Sequence, residues 1–162
     1  MSWVAVHARH ARGVYATDAP GTPDYCRRLP HPEDTIDVKN EELLPLFAEV
    51  KQLLTPYAAR LTVRRNEPGY YDLWSEKEIV VSGRRRKEVF FAGAIVQKSF
   101  VGFYFMPLYA DDDLSRVFGP ELLATLKGKS CFHLKRMTPE LRAQIETALA
   151  AGWRLYEERG WV

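Results

Sequence analysis

Two cysteines, Cys26 and Cys131, are too few and too far apart in 162 residues for a disulfide framework or a four-ligand zinc site. A reducing cytoplasm is the expected setting. Long apolar runs are also missing. The longest, Val89–Val96 and Phe100–Leu108, are each broken by a glycine and fall short of the roughly 20 residues a membrane helix needs. Before the first histidine the only hydrophobic stretch is Trp3–Val6, shorter than the about 7–15 residues of a signal-peptide core, so export is not expected. Neither charge sign dominates. Lys and Arg number 23 and Asp and Glu 21, and the net charge of +2 creates no general pull toward nucleic acid or anionic lipid. A charged partner must therefore meet a local patch. Walker loop, dinucleotide glycine fingerprint, His-Glu-x-x-His and Gly-x-Ser-x-Gly are all absent, so none of the chemistries those motifs carry is indicated.

The length and a hydrophobic fraction of 46% suit one compact domain plus a tail. Residues 1–38 contain Pro20, Pro23, Pro30 and Pro32, three of the four histidines and no apolar period, and they read as a flexible extension. From Lys39 the pattern changes. Leu43, Phe47, Val50, Leu54 and Tyr57 recur on one helical face, with Pro45 confined to an early turn and Pro56 as the stop. Segments rich in β-branched and aromatic residues follow at Leu61–Arg65, Tyr70–Trp74, Ile79–Val81, Glu88–Val96 and Phe100–Pro107. Asp111–Phe118 and Pro120–Leu126 read as short helical pieces, and Ser130–Arg136 as another strand. Thr138 then caps a long helix that has Pro139 at its first position and Leu141, Ile145, Leu149, Gly152 and Tyr156 on its buried stripe. This order predicts an α+β fold: a single antiparallel sheet of about five to six strands with an N-terminal and a C-terminal helix packed on it.

Glu88–Val96 and Phe100–Pro107 form the most informative pair. A tight turn at Lys98 and Ser99 sets Ile95 against Gly102, Gly93 against Tyr104 and Phe91 against Met106 on one face. On the other face Ala94 meets Phe103 and Ala92 meets Phe105, again small against large. Both faces are apolar and both need cover. Two long helices cover one, which leaves the second for the short helices, the tail, a ligand or another subunit.

Cys131 and His133 lie two apart on a strand and share a face with Lys135. With Phe91, Gly102 and Tyr104 they make the candidate ligand-binding set. No third residue completes a metal site or a catalytic pair, so neither a catalytic residue nor a metal ligand is assigned and no cofactor is expected. Arg84, Arg85, Arg86 and Lys87 form the only basic run and the one candidate contact for phosphate or nucleic acid; a solvated turn accounts for them better. Asp111, Asp112 and Asp113 lack the alternation of a calcium loop and fit helix capping.

Three segments in this order carry a resemblance: Pro56-Tyr57-Ala58-Ala59-Arg60-Leu61, the aromatic strand pair ending Met106-Pro107-Leu108-Tyr109, and Lys127-Gly128-Lys129-Ser130-Cys131-Phe132. Over about residues 40–160 the chain resembles the YdhG-like family of domains of unknown function, as a divergent branch in which the family's Gly-Met-Pro turn is replaced by Asn66–Gly69. The resemblance implies an α+β domain with one antiparallel sheet, found mostly in small bacterial cytosolic proteins, and no established activity. Some members are described as frataxin-like, which implies iron handling by an acidic ridge. Glu41, Glu42 and Glu49 are the acids available here, flanked by Lys39 and Lys51.

The expected function is that of a small cytoplasmic binding module, more consistent with a non-enzyme than an enzyme, whose second sheet face holds a small molecule or a protein partner. A homodimer through that face is compatible with the pattern; membrane association is not expected, and nucleic acid is disfavoured. The alternatives are a frataxin-like iron protein, a nucleic-acid-binding domain and a thiol-dependent enzyme using Cys131 and His133.

Overall fold

A computed structural model describes residues 38–81 and 84–162. The expected extension at 1–38 thus lies, but for its last residue, outside the described residues.

A 3-10 segment, Val38–Leu43, leads into helix α1 (Leu44–Leu54), which has Pro45 in its first turn, where no intrahelical N–H bond is lost. Its buried residues Leu46, Phe47, Val50, Leu53 and Leu54 follow the helical period. Pro56 falls within a second 3-10 segment, Thr55–Ala59. The strands are β1 (Thr62–Glu67), β2 (Tyr70–Ser75), β3 (Ile79–Val81), β4 (Arg84–Arg86), β5 (Val89–Val96) and β6 (Val101–Phe105). Helix α2 (Pro107–Ala110), a 3-10 segment (Asp112–Val117), α3 (Pro120–Thr125), β7 (Leu126–Lys127), β8 (Cys131–Leu134) and α4 (Pro139–Glu158) complete the chain.

Six strands form one antiparallel sheet in the order β1-β2-β5-β6-β8-β7. The α+β architecture with terminal helices on a single main sheet is as expected. Ile79–Val81 departs from expectation: it pairs with Arg84–Arg86 in a separate two-stranded ribbon. The β5–β6 register matches the small-against-large pattern, with Ile95 opposite Gly102, Gly93 opposite Tyr104, Ala94 opposite Phe103 and Ala92 opposite Phe105. Pro68 and Gly69 join β1 to β2, and Gly69 takes a φ of 77°, the left-handed value that the third residue of a type II turn requires.

The helices share the inner face of the sheet. Ala92, Ala94, Phe103, Phe105 and Phe132 project into one core with the buried stripes of α1 and α4. The α4 N-terminus is closed by Thr138 Oγ1, which accepts from Leu141 N at 3.0 Å. Each fully buried Leu or Ile on that stripe favours the fold by about 1.5–3 kcal/mol before chain entropy. At Gly152 the helix comes closest to the sheet, since a Cβ there would lie 2.4 Å from Phe105 Cζ.

One irregularity reassigns a face. The β2–β5 register slips between Leu73 and Trp74, so Leu73 faces Ala92 while Trp74 faces Phe90. Phe91 is the extra residue of this bulge. It turns into the core, fully buried, against Trp153 and Tyr156 with ring centroids at 5.8 and 5.1 Å. Strict alternation had put Phe91 on the face of Tyr104; the bulge corrects that. The backbone pairing of Phe91 with Met106 survives, Met106 N donating to Phe91 O at 2.9 Å. Tyr156 donates to the Phe90 carbonyl at 2.7 Å, satisfying a buried acceptor at the bulge.

Candidate functional site

Register places a second set of side chains on the outer face. From edge to edge these are Tyr70, Asp72 and Trp74 on β2, Phe90, Gly93 and Ile95 on β5, Gly102 and Tyr104 on β6, Cys131 and His133 on β8, and Lys127 on β7. Among the described residues no helix packs on this face, because the buried stripes of α1 and α4 belong to the inner core.

Its two glycines admit aromatic rings laid along the sheet. A Cβ at Gly93 would meet the Phe90 ring at 3.2 Å, and one at Gly102 would meet the Tyr104 ring at 2.8 Å. Among the described residues, what lies nearest over Gly102 is therefore its own neighbour on the strand. Arginines cap the β1 side: the Arg65 guanidinium sits 3.7 Å from the Tyr70 ring centroid and that of Arg64 4.7 Å from Trp74.

Asp72 is a buried carboxylate on this face, only 4% exposed. The β1 register shifts between Val63 and Asn66, and Asp72 Oδ1 accepts from Arg64 N at 3.2 Å and Arg65 N at 2.8 Å within that irregularity. Burial raises its pKa, opposed by Trp74 and by the two backbone donors. Trp74 Nε1 lies near enough to favour the charged carboxylate but makes no hydrogen bond of acceptable geometry. An acid in the middle of the aromatic segment Tyr70–Trp74 was the available signal for this residue, and sequence reasoning missed it.

Accessibility is concentrated at the β6–β8 end. Tyr70, Phe90, Ile95 and Met106 are buried, whereas Phe100, Tyr104, Cys131 and His133 are half-buried. His133 stacks on Phe100 with centroids 3.7 Å apart and planes inclined by 12°. Gln97 Nε2 donates to Tyr104 Oη at 3.4 Å, and Tyr104 stands directly opposite Cys131 on the neighbouring strand. Burial, then Cys131, push the Tyr104 phenol well above its ordinary value. Burial also raises the Cys131 thiol, with the neighbouring Tyr104 hydroxyl acting against it. His133 is lowered by burial, then by Lys127 and Lys135. A thiol held protonated beside a histidine that stacks on phenylalanine lacks the activation a nucleophilic cysteine needs.

Of the candidate ligand set, the structure brings Gly102, Tyr104, Cys131 and His133 together on one face and sends Phe91 to the other. Gln97 and Phe100, not assigned from sequence, join the four. The basic run lies elsewhere, on the β3–β4 ribbon. Ser82 and Gly83, the expected turn before it, are outside the described residues. Arg85 pairs with Glu78 at 3.3 Å, and Lys87 is exposed. Because β1 neighbours β2, Arg64 and Arg65 do not extend this run; Arg64 forms a two-bond ion pair with Glu88, and Arg65 pairs with Glu67.

Asp111 caps the following 3-10 segment as expected, its Oδ1 accepting from Asp113 N at 3.0 Å. Glu41 and Glu42 lie in the 3-10 segment ahead of α1, and Glu49 faces Arg142 at 4.0 Å. Among the described residues no group of three His, Cys, Asp or Glu is placed to hold a metal ion, and no helix is long and apolar enough to cross a membrane.

No protein-family model matches the chain, and neither a curated protein nor a solved structure does.

Proposed function

We propose that the protein is a small binding module without enzymatic activity, and that it takes a planar small molecule at the β6–β8 end of its outer sheet face. One observation carries this reading. Phe100, Tyr104, Cys131 and His133 stand half-buried around Gly102 on the face opposite the helices, combining stacked rings with a hydroxyl, a thiol and the Gln97 amide. Apolar walls with a few convergent polar groups are what small-molecule sites use. The resemblance to the YdhG-like family belongs to this proposal and rests on the segments Pro56–Leu61, Met106–Tyr109 and Lys127–Phe132; it implies an uncharacterised cytosolic domain and adds no ligand. The test is heteronuclear NMR of the full chain against a panel of planar aromatic fragments. Saturable shifts should cluster at Gly102, Tyr104, Cys131 and His133 and vanish in the His133→Ala variant. A panel that shifts nothing, or shifts residues of the helix-covered face, overturns the reading.

A further inference from the structure

Two lysines border the half-buried cluster. Lys127 stands directly across from Cys131 on the short edge strand, so its side chain shares the outer face. Lys135 follows His133 by two residues, in the bend just past the end of β8, and its charge acts on the His133 ring. Both are exposed, and among the described residues neither forms an ion pair. The contrast with nearby cations is informative: Lys129 is held by Asp112 at 2.9 Å, Arg64 by Glu88 and Arg65 by Glu67. His133, flat on Phe100, feels the charge of both lysines.

We infer that the ligand of this face is a planar aromatic anion, its ring extending the Phe100–His133 stack and its carboxylate or phosphate meeting Lys127 and Lys135. The inference rests on the proposed binding role of the face and adds the chemical class. An uncharged imidazole on a phenyl ring offers a stacking platform, and two cations without carboxylate partners supply the field for one negative group. The lysines help keep His133 neutral, with Cys131 and Tyr104 the nearest other titratable groups on the face. A bound anion between the lysines offsets their field and restores basicity to the imidazole.

Cinnamate and its neutral isostere cinnamamide, titrated into the full chain at low salt, separate the outcomes. Each solvent-exposed ion pair strengthens binding by about 1.4- to 5-fold, so cinnamate should bind about fivefold more tightly than the amide. The Lys127→Gln, Lys135→Gln double variant should erase the difference, as should high salt. Cinnamate, and not the amide, should also raise the His133 pKa followed by NMR. Equal affinity for the two probes, or a preference untouched by the double variant, sinks the anion inference and leaves the binding face standing. Binding of neither probe, with no shift at His133, sinks this inference; if the wider fragment panel also fails, the reading beneath it falls as well.

Discussion

Replacing Gly152 by alanine adds one methyl group at the closest approach of α4 to the sheet. The new carbon would lie 2.4 Å from Phe105 Cζ, 2.8 Å from Pro107 Cγ and 2.9 Å from Phe105 Cε2. Ordinary carbon contacts are about 3.5–4.0 Å, so the ring or the helix must give by roughly 1 Å. Phe105 has little freedom to move. It is fully buried, with Phe103 at 5.7 Å and Phe91 and Phe118 each at 6.1 Å between ring centroids. Overpacking a close-packed core costs about 1–3 kcal/mol, and three contacts below 3.0 Å put this site near the upper figure. Alanine returns about 1 kcal/mol through helix propensity. The expected net loss is about 2 kcal/mol, or about 8 °C in Tm for a domain of this size. Urea titration followed by circular dichroism measures it. Combining Gly152→Ala with Phe105→Leu should recover part of the loss, a coupling that a double-mutant cycle reads directly. A neutral or stabilising Gly152→Ala, or strict additivity in the cycle, would refute the contact.

Four further outcomes follow from the outer face. Asp72 has a raised pKa in the folded state, so the fold favours its protonated form, and the stability this gives at low pH is lost as pH rises through the folded value. Asp72→Asn, which keeps an acceptor for Arg64 N and Arg65 N, should therefore match or exceed the parent at pH 7 and lose that advantage under acid, whereas Asp72→Ala should cost about 1–3 kcal/mol; urea titrations across pH decide, and a large loss in the asparagine variant contradicts the account. His133 is depressed when folded, so protonation opposes folding and its contribution is lost as pH falls from the unfolded value of 6.5 through the folded one; NMR titration should place it below 6.5, and Lys127→Gln should raise it. Cys131 should be alkylated by iodoacetamide at pH 8 more slowly than an unhindered thiol, as mass mapping of its peptide will show, and rapid labelling would contradict the half-buried, proton-retaining thiol. Gly102→Leu should displace the half-buried Tyr104 ring outward at a cost near about 1 kcal/mol, less than Gly152→Ala, while removing the fragment shifts at the site; a larger stability loss than at Gly152 counts against the open face.

Where the information was local, the chain alone determined the outcome. Thr138 and Pro139 start α4, Pro45 and Pro56 bracket α1, and the alternation of Ala92, Gly93, Ala94 and Ile95 against Phe105, Tyr104, Phe103 and Gly102 sets the β5–β6 register, because size complementarity between adjacent strands is written in two short segments. Face assignment beyond the bulge belongs to the tertiary structure. Phe91 is one residue out of phase because β5 must accommodate β2 as well as β6, and period-two counting along one strand cannot register an extra residue created by its other neighbour. Asp72 acquires its role only when the β1 irregularity brings two amides to it, eight and seven residues back in the chain. Lys127 joins His133 only through the pairing of β7 with β8, and Phe100 reaches His133 across 33 residues. Which polar groups share the half-buried end of the outer face is a matter of non-local register, and such contacts depend on how strands of distant sequence close on one another.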